Sequence, residues 1–316
     1  MIHREDLDEV DLEHLIFKAT SQVPKGMVTT YGDIARALGD VSASRAVGAT
    51  LSHNPMPMTV PCHRVVYGDG RVGWYNGHGK GTDIKAGLLT DEGVNVTDGM
   101  VKDLEKVRFK DFDIDPILRR LREMQTRCAS LVVTDGPDET LDKLVGLDIS
   151  YDGNDAYASC VILDVESGRT TIRTVKTKVR FPYIPGYLSF REMPAYLRLL
   201  DGVERALVLV DGQGRLHPRR FGIASHLGVR TGLRTVGVAK SLLSGQVSNE
   251  GDISLEGEVV GRVVLARGRR YYVSVGNNVS LGFASEQVQR FLSDPSTDVL
   301  AMAHRAATQA RRASGE

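Results

Sequence analysis

Residues 207–214 read LVLVDGQG. A short, partly β-branched apolar run that closes on Asp and Gly has the character of a β-strand, and Asp211 stands at its end. Residues 145–150, VGLDIS, repeat the arrangement, with Asp148 closing the run Leu144–Leu147. Further apolar runs fall at 158–165, 170–179, 205–210, 235–239, 258–266 and 271–275, with helical stretches near 189–200 and 283–292. Strands interleaved with helices predict an α/β domain with a mixed sheet. In such folds the strand ends gather the catalytic groups. Upstream the pattern is helical. Leu12, Leu15, Ile16 and Ala19 share one side of 11–20, and Ile117, Leu118, Leu121 and Met124 form the stripe of 115–127. Helices are also predicted at 31–38, at 42–53 with Ser42 as its cap, and at 84–92. The short connection between the second and third predicts a helix-turn-helix. Val94–Gly99 is polar and contains Gly, so it is expected to be a linker between one domain at 1–99 and another at 100–316.

The chain has 316 residues, which at ~150 residues per domain fits two domains. Its 41% hydrophobic and 25% charged shares exclude a disordered or collagen-like chain. No apolar run approaches the ~20 residues needed to span a bilayer, so no membrane partner is expected. Cys62, Cys128 and Cys160 make no disulfide framework, and without a CxxC pair no zinc is expected. Met1–Glu13 is acidic, unlike a signal peptide, and the reducing cytoplasm is the expected compartment. Forty Lys and Arg balance forty Asp and Glu. Residues 1–99 are net acidic and the remainder net basic, ending in Arg305, Arg311 and Arg312. Neither half is a polybasic nucleic-acid binder, so affinity for DNA must come from local patches.

Pro61-Cys62-His63-Arg64-Val65-Val66 sets a thiol beside an imidazole and a guanidinium, either of which stabilises the nucleophilic thiolate. A lone cysteine is more often a small buried hydrophobe, so the context decides. Tyr31, SRAVG at 44–48, Asn54-Pro55, PCHRVV at 61–66, Gly73, Tyr75-Asn76-Gly77 and Glu92-Gly93 follow in order. Residues ~12–95 thereby resemble the O6-alkylguanine-DNA alkyltransferases. The resemblance implies a mainly helical domain, without cofactor, in which Cys62 takes the alkyl group permanently from guanine O6. It makes His63 the base that deprotonates Cys62 through a water and Glu92 the group that orients His63. Tyr31 would donate to guanine N3, Arg45 would fill the gap left by a flipped base, and Asn54 would tie the recognition helix to the cysteine loop. Arg64 and Tyr75 would meet the DNA or the lesion, with Gly73 and Gly77 leaving room for the base. Asn76 and His78 depart from the small or apolar residues usual at that pocket, which bears on the alkyl groups accepted. The family usually carries an additional N-terminal domain, whereas about one helix precedes Tyr31 here. Cys62 separates the chain from the alkyltransferase-like proteins, which lack the acceptor.

Asp148, Asp211 and Glu192, the last on a predicted helix in SFRE, form a second set. Three carboxylates brought together repel unless a cation neutralises them, and all-oxygen ligands favour Mg2+ or Mn2+. Spacing alone is equally satisfied by three separate surface carboxylates. The longer blocks carry more: PYIPGYLSFRE (182–192), VDGQGRLHPRRFGIASHLG (210–228) and VGVAKS (236–241). With them, residues ~112–292 resemble endonuclease V. That implies an RNase H-like fold and Mg2+-dependent nicking of DNA at the second phosphodiester 3′ to inosine, leaving a 3′-hydroxyl and a 5′-phosphate. By position Asp148, Glu192 and Asp211 would bind metal, and Lys240 would stabilise phosphate charge or position the attacking water. Pro182, Tyr183 and Ile184 belong to a stiff wedge. Gly212 and Gly214 would let main-chain groups read hypoxanthine, and His217 would lie near the metal. Asn277 stands where the family commonly has His, and the stretch after Leu292 also departs.

Together the resemblances predict a monomeric, bifunctional DNA-repair protein acting on double-stranded DNA with O6-alkylguanine or inosine. One rival is a non-enzymatic lesion sensor, against which the presence of Cys62 and the three carboxylates counts. Another joins the alkyltransferase to a ribonuclease for inosine in RNA; the metal site looks the same for both nucleic acids.

Overall fold

A computed structural model of the chain describes residues 10–75, 81–137 and 140–314. It divides into two compact units. One comprises Val10–Arg122 with Arg180–Pro185; the other comprises Glu123–Val179 and the chain from Gly186 onward. Among the described residues no helix is long and apolar enough to cross a membrane.

In the first unit Asp11 caps α1 (Leu12–Ser21) by accepting the His14 N–H at 2.8 Å, and Leu12, Ile16 and Ala19 are fully buried at helical spacing. β1 (Thr29–Thr30) runs straight into α2 (Tyr31–Ala37). The junction is a capping box: Thr30 Oγ1 accepts the Asp33 N–H at 3.0 Å, and the Asp33 carboxylate accepts the Thr30 N–H at 3.2 Å. The predicted helix-turn-helix is completed by α3 (Ser44–Ser52). Ser42 is not its cap. A 3-10 turn at Val41–Ala43 precedes the helix, so the capping role moves back to Asp40, which accepts the Ser42 N–H at 3.0 Å. β2 (Val65–Val66) pairs parallel to β1, with Thr29 opposite Val65. That register sets the start of α2 level with Tyr67 just past β2, while the 3-10 turn Cys62–Arg64 leads into β2. α4 (Thr82–Asp91) follows.

The stretch expected to be a linker is a hairpin. β3 (Val96–Thr97) and β4 (Met100–Val101) pair antiparallel around Asp98-Gly99, both at positive φ (53° and 70°). This is the two-residue turn that matches right-handed strand twist. Val101 joins Val28, Val66, Val72, Leu89 and Val94 in one core, with Leu104 and Val107 of α5 (Leu104–Val107) packed on it. Val28 donates to Val107 O at 2.8 Å and accepts from the Phe109 N–H at 2.7 Å. The expected boundary at 99/100 therefore falls inside this unit, which runs to Arg122, within α6 (Ile117–Cys128).

Asp33 is 5% exposed and is gripped by Arg108 from beyond that boundary, Nε at 2.8 Å and Nη2 at 3.0 Å. Thr30 Oγ1 and Arg36 Nη2 donate to it as well, at 2.7 and 2.6 Å. Burial opposes the charge, but the bonds from Arg108, Thr30 and Arg36 prevail and hold the carboxyl well below the usual carboxylate range. Removing one partner of a buried pair costs about 3–5 kcal/mol. Arg108→Ala is accordingly expected to destabilise this unit by that order, read as a lowered Tm. A carboxyl depressed in the folded state stabilises fully above its unfolded pKa and loses the effect only as pH falls through the folded one. The Tm gap between wild type and Arg108→Ala should therefore be as large at about pH 5 as at about pH 7. Equal Tm values would show that the pair does not hold this unit.

The second unit runs β5 (Lys143–Asp152), β6 (Asp155–Asp164), β7 (Thr170–Lys178), α7 (Leu188–Leu199), β8 (Ala206–Val210), α8 (Ile223–Thr231) and β9 (Arg234–Ala239). It continues with β10 (Gln246–Val247), β11 (Asp252–Leu255), β12 (Glu258–Ala266), β13 (Arg269–Asn277), α9 (Leu281–Ser293) and α10 (Val299–Ala313). The strands form one sheet in the order β10-β11-β12-β13-β9-β8-β5-β6-β7. β8 is parallel to β5 and β9, and the remaining pairs are antiparallel, the mixed sheet expected. β8 shows why residues 207–210 carry no polar side chain. Val208 and Val210 pack in the layer with α7 and α8, while Leu207 and Leu209 pack in the opposite layer with α9 and α10. Side chains alternate along a strand, and a sheet covered on both faces makes both sets apolar. Each such buried side chain contributes about 1.5–3 kcal/mol.

Candidate active sites

In the helical unit a cleft of about 690 Å³ is lined by Tyr31, Arg45, Cys62, Tyr67, Trp74, Tyr75 and Lys85, among others. Cys62 is 5% exposed, at the start of its 3-10 turn. The β1–β2 register brings Tyr31 level with Tyr67, their ring centroids 5.4 Å apart. Gly48 of α3 lies over Tyr31, where a Cβ would sit 3.7 Å from the ring. Burial, then Tyr67 and Cys62, push the Tyr31 hydroxyl up to about 12, so it stays a phenol and a proton donor.

His63 is buried, and its Nε2 lies 3.0 Å from Glu92 Oε1. The other ring nitrogen, Nδ1, is buried without a hydrogen-bond partner among the described residues. With Nε2–H donating to Glu92, Nδ1 keeps its lone pair and can accept a proton. Burial lowers the His63 pKa against the opposing effect of Glu92. For Glu92 burial works against the charge, but bonds from Arg64 and His63 hold it down to about 2. Arg64, expected at the DNA, is engaged inward instead. Its Nε and Nη2 reach Glu92 at 2.9 and 2.7 Å, and its Nη1 donates to Val23 O at 2.7 Å. A neutral base with a lowered pKa predicts the acid limb of the alkyl-transfer rate. The rate should hold through the ordinary histidine range near ~6.5 and fall only below it. A titration centred at or above ~6.5 would exclude His63 as that base.

Asn54 Nδ2 donates to Val60 O at 2.8 Å, two residues before Cys62. Arg45 is exposed on α3. Tyr75 is half-buried, with its ring centroid 6.5 Å from that of His63. Gly73 has φ of 75°, and a Cβ there would meet the Tyr67 ring at 2.6 Å, so the space beside it is occupied by Tyr67. Asn76, Gly77 and His78 lie outside the described residues. Two cleft groups went unnoticed in the sequence. Lys85 is 1% exposed, donates to Val65 O at 2.6 Å, and is driven down to about 8 by burial, which the nearby Cys62 thiol counters. Its signal was its position four residues before the buried Leu89 on one helix face. Trp74, 66% exposed on the cleft wall, is the single tryptophan of the chain.

In the α/β unit Leu147 lies opposite Val210, so Asp148 and Asp211 stand at the same level of neighbouring strands. Asp211 follows the end of β8, whereas Asp148, expected to end its strand, lies inside β5, which continues to Asp152 paired with β6. Glu192 comes from α7 and is 4% exposed. Tyr151 and Tyr196 hydroxyls donate to it at 2.7 and 3.1 Å. Burial raises Glu192 to about 7 against those bonds, with Asp148 adding to the rise. Burial and then Asp211 raise Asp148, while His304 Nδ1, 3.0 Å away, opposes the shift. Lys240 holds Asp211 at 2.5 Å. Each acid thus has its own protein partner, and among the described residues no three acids, histidines or cysteines converge closely enough to hold an ion as they stand. The donor set nevertheless fits a divalent cation: all oxygen, largely buried, and mutually repelling in the way such a charge relieves.

His304 was missed because it lies in the tail left unassigned by sequence, on α10. Asn277, at the position where the family commonly has His, pairs with Thr235 at the start of β9, whereas Lys240 follows its far end. Val210 pairs with Gly237, so the acids are level with Val238, three positions along β9 and roughly 10 Å from the level of Asn277. Asn277 instead accepts the Val133 N–H at 2.9 Å. His217, expected near the metal, is a loop latch with both ring nitrogens engaged, by Gly186 O at 3.1 Å and the Arg219 N–H at 3.2 Å. Burial, then Arg219, lowers it to about 4. Gly214 donates its N–H to Ser274 Oγ at 2.9 Å, and a Cβ there would strike Val275 O at 2.1 Å. Its glycine is explained by sheet packing, and its N–H is not free to read a base. Gly212 packs against Ile223 and Leu188. On the proline loop Tyr183 is 61% exposed, Ile184 is 1% exposed and Pro182 is half-buried.

The family model for the 6-O-methylguanine DNA methyltransferase DNA-binding domain matches residues 11–94, and that for endonuclease V matches residues 125–302. A bifunctional methyltransferase/endonuclease of Picrophilus torridus is 36% identical over 97% of this chain and 99% of its own length. Its counterpart in Thermoplasma volcanium is 37% identical over 95% and 90%. Among solved structures, endonuclease V of Streptomyces avermitilis is 31% identical with a TM-score of 0.57, covering 62% of this chain and 94% of its own. Human endonuclease V is 28% identical with a TM-score of 0.57, covering 63% and 100%. Two DNA-repair domains are thus joined in one chain. It belongs to the bifunctional methyltransferase/endonucleases, with an alkyltransferase domain followed by an endonuclease V domain.

Proposed function

We propose that this protein, as a cytoplasmic monomer, accepts alkyl groups from O6-alkylguanine in double-stranded DNA on Cys62 and nicks DNA beside inosine at the carboxylates of its α/β unit. The observation that carries the first activity is the His63–Glu92 pair with its open Nδ1 beside a buried, cleft-lining thiol. His63 takes the thiol proton through a water. The Cys62 sulfur bonds to the alkyl carbon as the carbon–O6 bond breaks, and Tyr31 gives its proton to guanine N3, so guanine leaves neutral. Lys85 is buried beside Cys62 in the same cleft. Glu92, locked by Arg64, keeps the His63 ring in place. Because the sulfur–carbon bond is not reversed, each molecule acts once.

The endonuclease V family is metal-dependent. Mg2+ held by Asp148, Glu192 and Asp211 would supply a nucleophilic water and screen charge on the cleaved phosphodiester. Lys240 would carry phosphate charge, His304 would keep Asp148 oriented, and main-chain groups at Gly212 would read hypoxanthine. Tyr183, exposed on its stiff loop, would wedge the duplex. An endonuclease V of Ciona intestinalis has been solved with DNA containing an inosine followed by a ribo-adenosine; here DNA is the substrate proposed. The test is an end-labelled duplex carrying one inosine, with and without Mg2+. A Mg2+-dependent nick one nucleotide beyond the inosine supports the reading. Cleavage of an inosine RNA alone would replace it with the ribonuclease, and binding without any cut would leave a lesion sensor.

A further inference from the structure

A second cavity, of about 390 Å³, lies beside the carboxylates between β9, the β12–β13 hairpin and α10. Five of its lining residues are basic: Lys240, Arg267, Arg269, His304 and Arg305. Its two acids are already paired, Asp211 with Lys240 and Asp298 with Arg267 at 3.4 Å. Asp298 also caps α10 by accepting the Ala301 N–H at 2.9 Å, so Arg267 ties the hairpin to the helix end. Arg269 and Arg305 are exposed, and among the described residues neither has an ion-pair partner. Two unpaired guanidiniums on a wall that includes Asp211 suit the forked hydrogen bonding of phosphate oxygens.

We infer that this cavity is a subsite for the backbone phosphates of the cleaved strand on the 3′ side of the nick. The inference rests on the nuclease reading above and adds a direction to it. Gly212 packs on the α7–α8 side of the sheet, where a Cβ would meet Ile223 Cγ2 at 2.7 Å. The cavity opens on the α9–α10 side, with Leu292, Leu300 and Ala301 in its lining. A strand whose lesion sits at Gly212 and whose backbone passes Asp148 and Asp211 continues over the edge of the sheet to α10. Since the nick lies 3′ to the lesion, the part reaching α10 is the 3′ part.

The test uses the intact chain, Mg2+ and an end-labelled inosine duplex, together with duplexes in which single phosphates flanking the nick are neutral methylphosphonates. Arg269→Ala with Arg305→Ala is expected to raise KM roughly tenfold with kcat nearly unchanged. The double variant should also lower the salt slope of log kcat/KM by about 0.9 for each phosphate no longer neutralised. The corresponding pair of lysine substitutions should keep the slope. A methylphosphonate on the 3′ side should slow wild type and leave the double variant nearly unaffected. An unchanged salt slope, sensitivity confined to the 5′ side, or equal sensitivity in both proteins would overturn the subsite while leaving the nuclease standing. Failure of wild type to nick would overturn both.

Discussion

Cys62→Ala is expected to end all transfer of a labelled methyl group from O6-methylguanine DNA to the protein, while inosine nicking stays within about twofold of wild type. The loss is total because the thiol is the reactant itself. A mutated catalyst leaves residual rate; a missing acceptor leaves no product. No other thiol can substitute. Cys128 and Cys160 are 6% and 0% exposed, and burial pushes the Cys160 thiol up to about 12, where it stays protonated at neutral pH. Cys62, in contrast, lines the cleft. Peptide mapping after wild-type reaction should place the label on Cys62 alone. Label on another residue, or transfer surviving in the variant, would remove Cys62 from its role.

Asp148→Asn is expected to move activity and stability in opposite directions. Nicking should fall by about 100- to 1,000-fold, the usual loss when a preorganised charge facing the transition state is removed. Stability should rise. Burial and Asp211 raise the Asp148 pKa, so the folded state disfavours its ionised form. A carboxyl raised in the folded state costs stability above its unfolded pKa, and the cost grows until pH passes the folded one. At neutral pH a neutral isostere removes that cost, at the loss of a charged partner for His304. A higher Tm with an inactive nuclease is the signature of a site that accepts repulsion for its chemistry. A lower Tm would mean that the His304 contact outweighs the repulsion, and unimpaired nicking would take Asp148 out of the site. Alkyl transfer should be unaffected in the same protein.

Much of this was legible because the informative residues lie in short contiguous motifs. Asp148 and Asp211 announced themselves by ending apolar runs, and the cysteine turn by its neighbours. What stayed hidden depended on contacts between distant segments. Asp98-Gly99 is a strong hairpin signal, but two-residue strands give too little alternation to distinguish a hairpin from a linker. Arg108 could not be read as the clamp on Asp33, because nothing in either segment encodes a pairing across 75 positions. α10, VLAMAHRAATQARRA, is Ala- and Arg-rich, so its apolar stripe is faint and His304 passed as a tail residue. The roles given to Arg64, His217 and Gly214 had the same weakness. A motif fixes which residue is present, and only the packing shows whether its hydrogen bonds point outward to a ligand or inward to the chain.

Trp74 has a practical consequence. One indole, 66% exposed on the wall of the cysteine cleft, makes the chain self-reporting. Selective excitation of tryptophan sees only the helical unit, since the α/β unit contributes tyrosine alone. Emission from Trp74 can therefore follow DNA docking at one end of a two-activity protein without dye, tag or truncation, and the same trace records that unit's melting separately from its neighbour's.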